Sequence, residues 1–82
     1  MSGAVCNQKI MQANESVMRS IFDKEFFLCF YLLKGFIEII SEGTIYWLYP
    51  NDLIVFQKEN QTEEIAVHAV EYTEMVEVRV SV

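Results

Sequence analysis

Tyr31-Leu32-Leu33-Lys34-Gly35-Phe36-Ile37-Glu38-Ile39, continued through Ile40-Ser41-Glu42-Gly43 into Thr44-Ile45-Tyr46-Trp47-Leu48-Tyr49-Pro50-Asn51-Asp52-Leu53-Ile54, decides the fold of this chain. Its bulky residues come in short runs, and each run is closed by a residue that a turn requires. Glu42-Gly43 lies between runs 37–41 and 44–49, where a two-residue hairpin needs the positive φ that glycine supplies. Pro50-Asn51 follows, with proline presetting φ at the first turn position and asparagine tolerating φ > 0 at the next. Gly35 marks a bend or bulge between two strands that would otherwise run as one.

The same period of two extends outward. Val76, Val78, Val80 and Val82 alternate with Glu77, Arg79 and Ser81, which predicts a strand with its valines in a core and its charges in water. In 64–71, Ile65, Val67 and Ala69 form one row and Ala66, His68 and Val70 the other, so this strand is apolar on both faces. Runs 26–33 and 53–56 are apolar and β-prone. Residues 58–63 read as a polar loop, and Thr73-Glu74 closes the last hairpin. Residues 17–82 therefore predict an all-β domain of six to seven antiparallel strands, a sandwich or a closed two-layered barrel. Residues 1–16, with apolar positions at Val5, Ile10 and Met11, fit a short helix or an ordered arm that Asn14 or Ser16 ends.

At 82 residues and 9.6 kDa the chain has room for one small domain or a piece of a longer protein. Apolar residues at 52% and charged residues at 22% can build a core, unlike a disordered segment. A domain of this size buries only about 60% of its unfolded surface, which makes an interface a natural remedy. The net charge of −6, with no basic stripe, excludes direct nucleic-acid contact by these residues as a function class. Half of the twelve acidic groups lie between Glu59 and Glu77, a region that repels phosphate and anionic membrane. Cys6 and Cys29 are too few for a disulfide scaffold, and Cys29, inside an apolar run, reads as a buried inert thiol. No secretion signal and no bilayer-length apolar run is visible, so the expected setting is cytoplasmic, without a membrane.

From about residue 28 to residue 56 the series of motifs resembles the cupin domain, most closely the N-terminal sensor domain of bacterial AraC-type transcription regulators. In that family a strand ending in Leu-x-Gly leads into a second strand, a hairpin glycine follows, and Tyr-x-Leu-x-Pro-Gly-Asp-Leu turns into the next. Leu33-x-Gly35, Gly43, Tyr46-x-Leu48-x-Pro50 and Asp52-Leu53 match this series, with Asn51 in place of the usual glycine. The resemblance implies a small cupin-like jelly roll or β-barrel whose interior takes a small-molecule effector and which pairs as a homodimer. DNA would be reached only through a separate C-terminal helix-turn-helix domain, absent from this sequence. It also implies that Tyr46 and Leu48 point into the barrel, which sends Trp47 and Tyr49 to the opposite face. Metal-binding cupins carry a His-x-His with a Glu before the first glycine and a later His. Here residues 23–29 contain no imidazole, and residues 57–62, where the later His would fall, none either, so no metal and no cofactor is expected.

Taken singly, the side chains divide as follows. Tyr31, Tyr46, Leu48 and His68 are the candidate ligand-binding residues, with tyrosines combining apolar area and a polar tip. Trp47 and Tyr49 are candidates for dimer or arm packing. His68 also reads as a satisfied, partly buried histidine without a function. Asp52 reads as a turn residue whose oxygens accept backbone N–H groups, alongside the structural turn positions Gly35, Gly43, Pro50 and Asn51. Glu63, Glu64, Glu71, Glu74 and Glu77 read as a solvated acidic face. No Ser-His-Asp or Cys-His arrangement and no phosphate loop can be assembled from the sequence, which leaves no catalytic residue to name. The first reading is thus a sensing and dimerising module rather than an enzyme. The alternatives are a small cupin isomerase or lyase without the usual histidines, using Asp52, His68 or a tyrosine, and a purely structural dimerisation domain.

Overall fold

Alternation of inward and outward side chains along each strand builds a two-layered all-β sandwich. The computed structural model describes residues 3–21, 25–58 and 64–81. Eight strands follow one another: β1 (Gly3–Met11), β2 (Ser16–Arg19), β3 (Glu25–Lys34), β4 (Ile37–Ser41), β5 (Thr44–Leu48), β6 (Leu53–Gln57), β7 (Ile65–Ala69) and β8 (Thr73–Ser81). One sheet has the order β1-β8-β3-β6 and the other β2-β7-β4-β5, with every neighbouring pair antiparallel. Of the two forms expected for residues 1–16, the extended one is observed, and β1 adds an edge strand beside β8. Among the described residues no ladder joins the two sheets, so of the two expected forms, sandwich and closed barrel, the sandwich is observed, with edges β1/β2 and β5/β6. The loop read at 58–63 and the residues Asp23, Lys24, Glu63 and Val82 lie, Lys58 excepted, outside the described residues.

The core comes from one row of each strand. Leu28, Phe30 and Leu32 of β3 meet Ile37 and Ile39 of β4, Leu48 of β5, Phe56 of β6 and Ile65, Val67 and Ala69 of β7, all buried. Met11 and Met75 close the two ends of β1 and β8 onto this cluster. The middle of the sandwich is therefore filled by side chains.

The turns hold the strands in this register. Glu42 and Gly43 have φ of 51° and 77°, the two positive values that a tight β4–β5 hairpin needs. At the next corner Asp52 N–H donates to Tyr49 O at 3.0 Å, Asn51 takes φ 76°, and Asp52 Oδ2 accepts Tyr49 N–H at 2.9 Å. The corner is tied to β3 by Asn51 N–H to Leu32 O at 2.7 Å and by Tyr31 Oη–H to Asn51 Oδ1 at 3.1 Å. Gly35, at φ 100°, passes so close to β8 that a Cβ would meet Tyr72 O and lie 2.6 Å from Thr73 Oγ1.

One expectation is reversed. The valines of β8 face outward and are half-buried, whereas Thr73, Met75 and Glu77 face inward and are buried. Strand parity is fixed at both ends of β8: Thr73 packs beside Gly35, and Met75 stands opposite Leu32 in the core. With a side-chain period of two, those contacts carry Glu77 and Arg79 inward and Val76, Val78 and Val80 outward.

Candidate functional site

The inward turn of Glu77 creates a charged cluster at the β1/β2 edge. Glu77 is 3% exposed. Its Oε1 accepts Arg19 Nε–H at 2.8 Å from β2 and has Arg79 Nη2 at 3.9 Å. Arg79 Nη1 donates to Glu25 Oε1 at 2.8 Å and to Ser20 O at 3.0 Å. Arg19 Nη1 donates to Met18 O at 3.0 Å. Such a carboxylate is tolerated in an interior only because cations neutralise it. The acidic face expected from sequence accordingly loses Glu77, while Glu64 and Glu71 remain exposed.

Between β1 and β2 this cluster borders a cavity of about 360 Å³, lined by Asn7, Lys9, Arg19, Ser20, Glu77 and Arg79 among others. Lys9 stands on the inward row of β1, two residues before buried Met11, and no hydrogen bond or ion pair to it is found among the described residues. A site within the range of small-molecule pockets is thus lined by cations on an otherwise apolar sandwich.

The opposite edge, β5/β6, has a different chemistry. Tyr46 is 39% exposed and meets Phe56 edge-on, with ring centroids 6.0 Å apart. A cleft of about 280 Å³ there is lined by Ser41, Thr44, Tyr46, Ile54 and Phe56 among others. Leu48 is buried in the core beside it and also borders a shallower groove with Trp47 and Leu53.

The remaining sequence candidates lie elsewhere. Tyr31 is on the outer face of the first sheet, in register with Val76 and Leu53. His68 is on the outer face of the second, where its Nδ1 is 2.6 Å from Ser16 Oγ. Tyr31 and His68 therefore do not converge with Tyr46 and Leu48 on one pocket. Trp47 and Tyr49 are exposed: Trp47 Nε1–H donates to Glu38 Oε2 at 3.3 Å, and Tyr49 stacks on Phe36 with ring centroids 4.9 Å apart. Ser16, His68, Glu38 and Trp47 form one row across the second sheet, but among the described residues no hydrogen bond joins His68 to Glu38, and it is Trp47, at the row's far end from Ser16, that borders the shallow groove. Lys9, Arg19 and Arg79 had no motif to announce them. The signal was present only as arginines inside segments of alternating hydrophobicity.

Among the described residues no three His, Cys, Asp or Glu side chains are grouped to hold an ion, and the inward row of β3 is Leu28, Phe30 and Leu32. These residues do not fit a metal centre, whose hard or borderline cation needs oxygen, imidazole or thiolate donors.

Comparison with known proteins places the architecture. No family model and no curated protein matches the sequence. Among solved structures, the Cupin_2 domain of an XRE family transcriptional regulator from Enterobacter cloacae superposes with a TM-score of 0.78 at 11% identity, over 96% of this chain and 81% of that one. The fold is the cupin fold. A cupin superfamily protein from Desulfitobacterium hafniense superposes with a TM-score of 0.77 at 13% identity, over 100% and 79% of the two chains. An HTH_3 family transcriptional regulator from Vibrio cholerae gives 0.79 at 15% identity, with this chain covered over 98% of its length and spanning 43% of that regulator. Cupin domains of this shape thus occur within transcription regulators, and no helix among the described residues is long and apolar enough to cross a membrane.

Proposed function

We propose that this cupin domain is the ligand-sensing and dimerising part of a transcription regulator of AraC type, and that it has no chemistry of its own. The observation that supports this reading is the polar cavity at the β1/β2 edge, built from paired charges on strands of both sheets. A ligand there touches β1 and β2, strands that lie in different sheets and share no ladder. Binding would favour one spacing of the two sheets over another, the differential contact that a population shift requires. DNA would be contacted by a separate domain.

Pairing is assigned to the outer face of the first sheet. Three rows cross it: Ala4-Val80-Phe27-Gln57, Cys6-Val78-Cys29-Val55 and Gln8-Val76-Tyr31-Leu53. None of these three contains a charge, and the next row, Ile10-Glu74-Lys34, carries one of each sign, so two copies of a chain with net charge −6 meet there without a net like charge. Strand spacing and rise make this face on the order of 500 Å² per copy, and a pair reaches the roughly 1,000 Å² at which interfaces become specific.

Thermal-shift measurements against sugars, aromatic acids and aliphatic acids test the sensing function. A saturable rise in Tm that is lost when the β1/β2 cavity is filled by Ser20→Trp supports it. A Tm indifferent to every compound rejects it.

A further inference from the structure

We infer that the β1/β2 cavity is an anion site, and that the effector of this domain carries a carboxylate or phosphate group. This rests on the cavity being the sensing site and adds the chemical class of what enters it. Three cationic side chains line the cavity, Lys9, Arg19 and Arg79, against one lining carboxylate, Glu77. Counting Glu25, which Arg79 holds from outside the lining, the described residues still leave a surplus of one positive charge in a chain whose total is −6.

That surplus is positioned to be used. Arg19 commits Nε to Glu77 and Nη1 to the Met18 carbonyl, and no bond to its Nη2 is found among the described residues. Lys9 has no partner among them. Lys9 and Arg19 lie on different edge strands and face one cavity, so an anion between them would bridge the two sheets. Asn7 and the Ser20 hydroxyl supply neutral donors beside the cations. Guanidinium and ammonium groups with unused N–H donors, partly withdrawn from water, are the groups that carboxylates and phosphates bind by charge-assisted hydrogen bonds. Glu77 does not oppose this, because its charge is already engaged by Arg19 and approached by Arg79. Its role is to hold Arg19 in place, as a positioning residue. The general acidity of the chain sharpens the contrast: an anion is repelled from most of the surface and meets a positive field at this edge.

The experiment is isothermal titration of the intact chain with succinate, citrate and inorganic phosphate at constant ionic strength, with glucose and arabinose as uncharged arms. The variants are Lys9→Gln, which empties the cavity of its unpaired cation at an edge strand, and Lys34→Gln, which removes one positive charge outside the cavity lining. Both variants are first checked for an unchanged cooperative unfolding transition, and Arg19 is left intact because its loss strands Glu77. The expected result is saturable binding of at least one anion, weakened about tenfold or more by Lys9→Gln and unchanged by Lys34→Gln. Equal weakening in both variants shows a nonspecific charge effect and overturns the proposal. So does an absence of anion binding. If the anions fail while a neutral compound binds, the ligand class is wrong and the sensing role stands. If every compound fails, both readings fall.

Discussion

Glu77 Oε1 receives the Nε–H of Arg19 at 2.8 Å across the interior of the sandwich, from β2 in one sheet to β8 in the other. It ties the layers through the core side, and it stands where an alternating valine strand suggested a water-facing carboxylate. Removing one partner strands the other. Arg19→Met is expected to cost about 2–4 kcal/mol, towards the low end for buried pairs because Arg19 keeps 24% of its side chain exposed. Glu77→Met with Arg19→Met should recover much of that loss, since an apolar pair of similar volume needs no desolvation. Urea unfolding of the two single variants and the double variant measures the coupling. Additive losses would show that the pair contributes nothing.

The two glycines with positive φ should not be equivalent. Gly43 has nothing within 4 Å of an added Cβ, so Gly43→Ala costs only the backbone term, about 1–2 kcal/mol. At Gly35 the same change adds a collision with the backbone of Tyr72 and with Thr73, and the expected loss exceeds that of Gly43→Ala by at least about 1 kcal/mol. Chemical denaturation of both variants under one buffer decides the order.

Self-association through the outer face of the first sheet places Val78 at its centre, between Cys6 and Cys29. Val78→Lys buries like charges in a two-fold interface, so sedimentation should shift from dimer to monomer while far-UV circular dichroism keeps its β signature. Trp47, 59% exposed on the other sheet, should stay accessible to acrylamide quenching in the dimer. A quencher-protected Trp47 in the wild-type dimer would move the interface to the Trp47–Tyr49 face.

Thiol reactivity separates the two cysteines. Burial pushes the Cys29 thiol above its ordinary pKa, whereas Cys6 is exposed on the edge strand. A raised pKa means less thiolate at any given pH below it, and the thiolate is the nucleophile. At pH 8, and at a dilution where sedimentation shows a monomer, Cys6 should therefore react with iodoacetamide several-fold faster than Cys29, and raising the pH should narrow the gap. Peptide mass spectrometry reads both rates, and equal rates at pH 8 would contradict the burial of Cys29.

Turn chemistry was legible residue by residue. Glycine at 35 and 43, and Pro50-Asn51-Asp52, each answer a local steric or hydrogen-bonding demand, so the sequence by itself determined the strand order from β3 to β6 and the all-β class. The apolar, β-prone character of β3, β4 and β7 could also be read, though not which row of β3 or β7 faces the core. The partition of β8 could not. A period of two states that alternate residues share a face, but it does not state which face is inside, and valines fit an outer sheet face as well as a core. Only the tertiary packing of Thr73 against Gly35 and Met75 against Leu32 chose the parity, and with it the burial of Glu77. The β1/β2 cavity followed from that choice, since its cations come from three strands up to 70 positions apart, Lys9 to Arg79, and no local rule links them. Short-range sterics act between neighbours in the chain and can be read from their order; the charge cluster exists only because long-range packing brings distant strands to one edge.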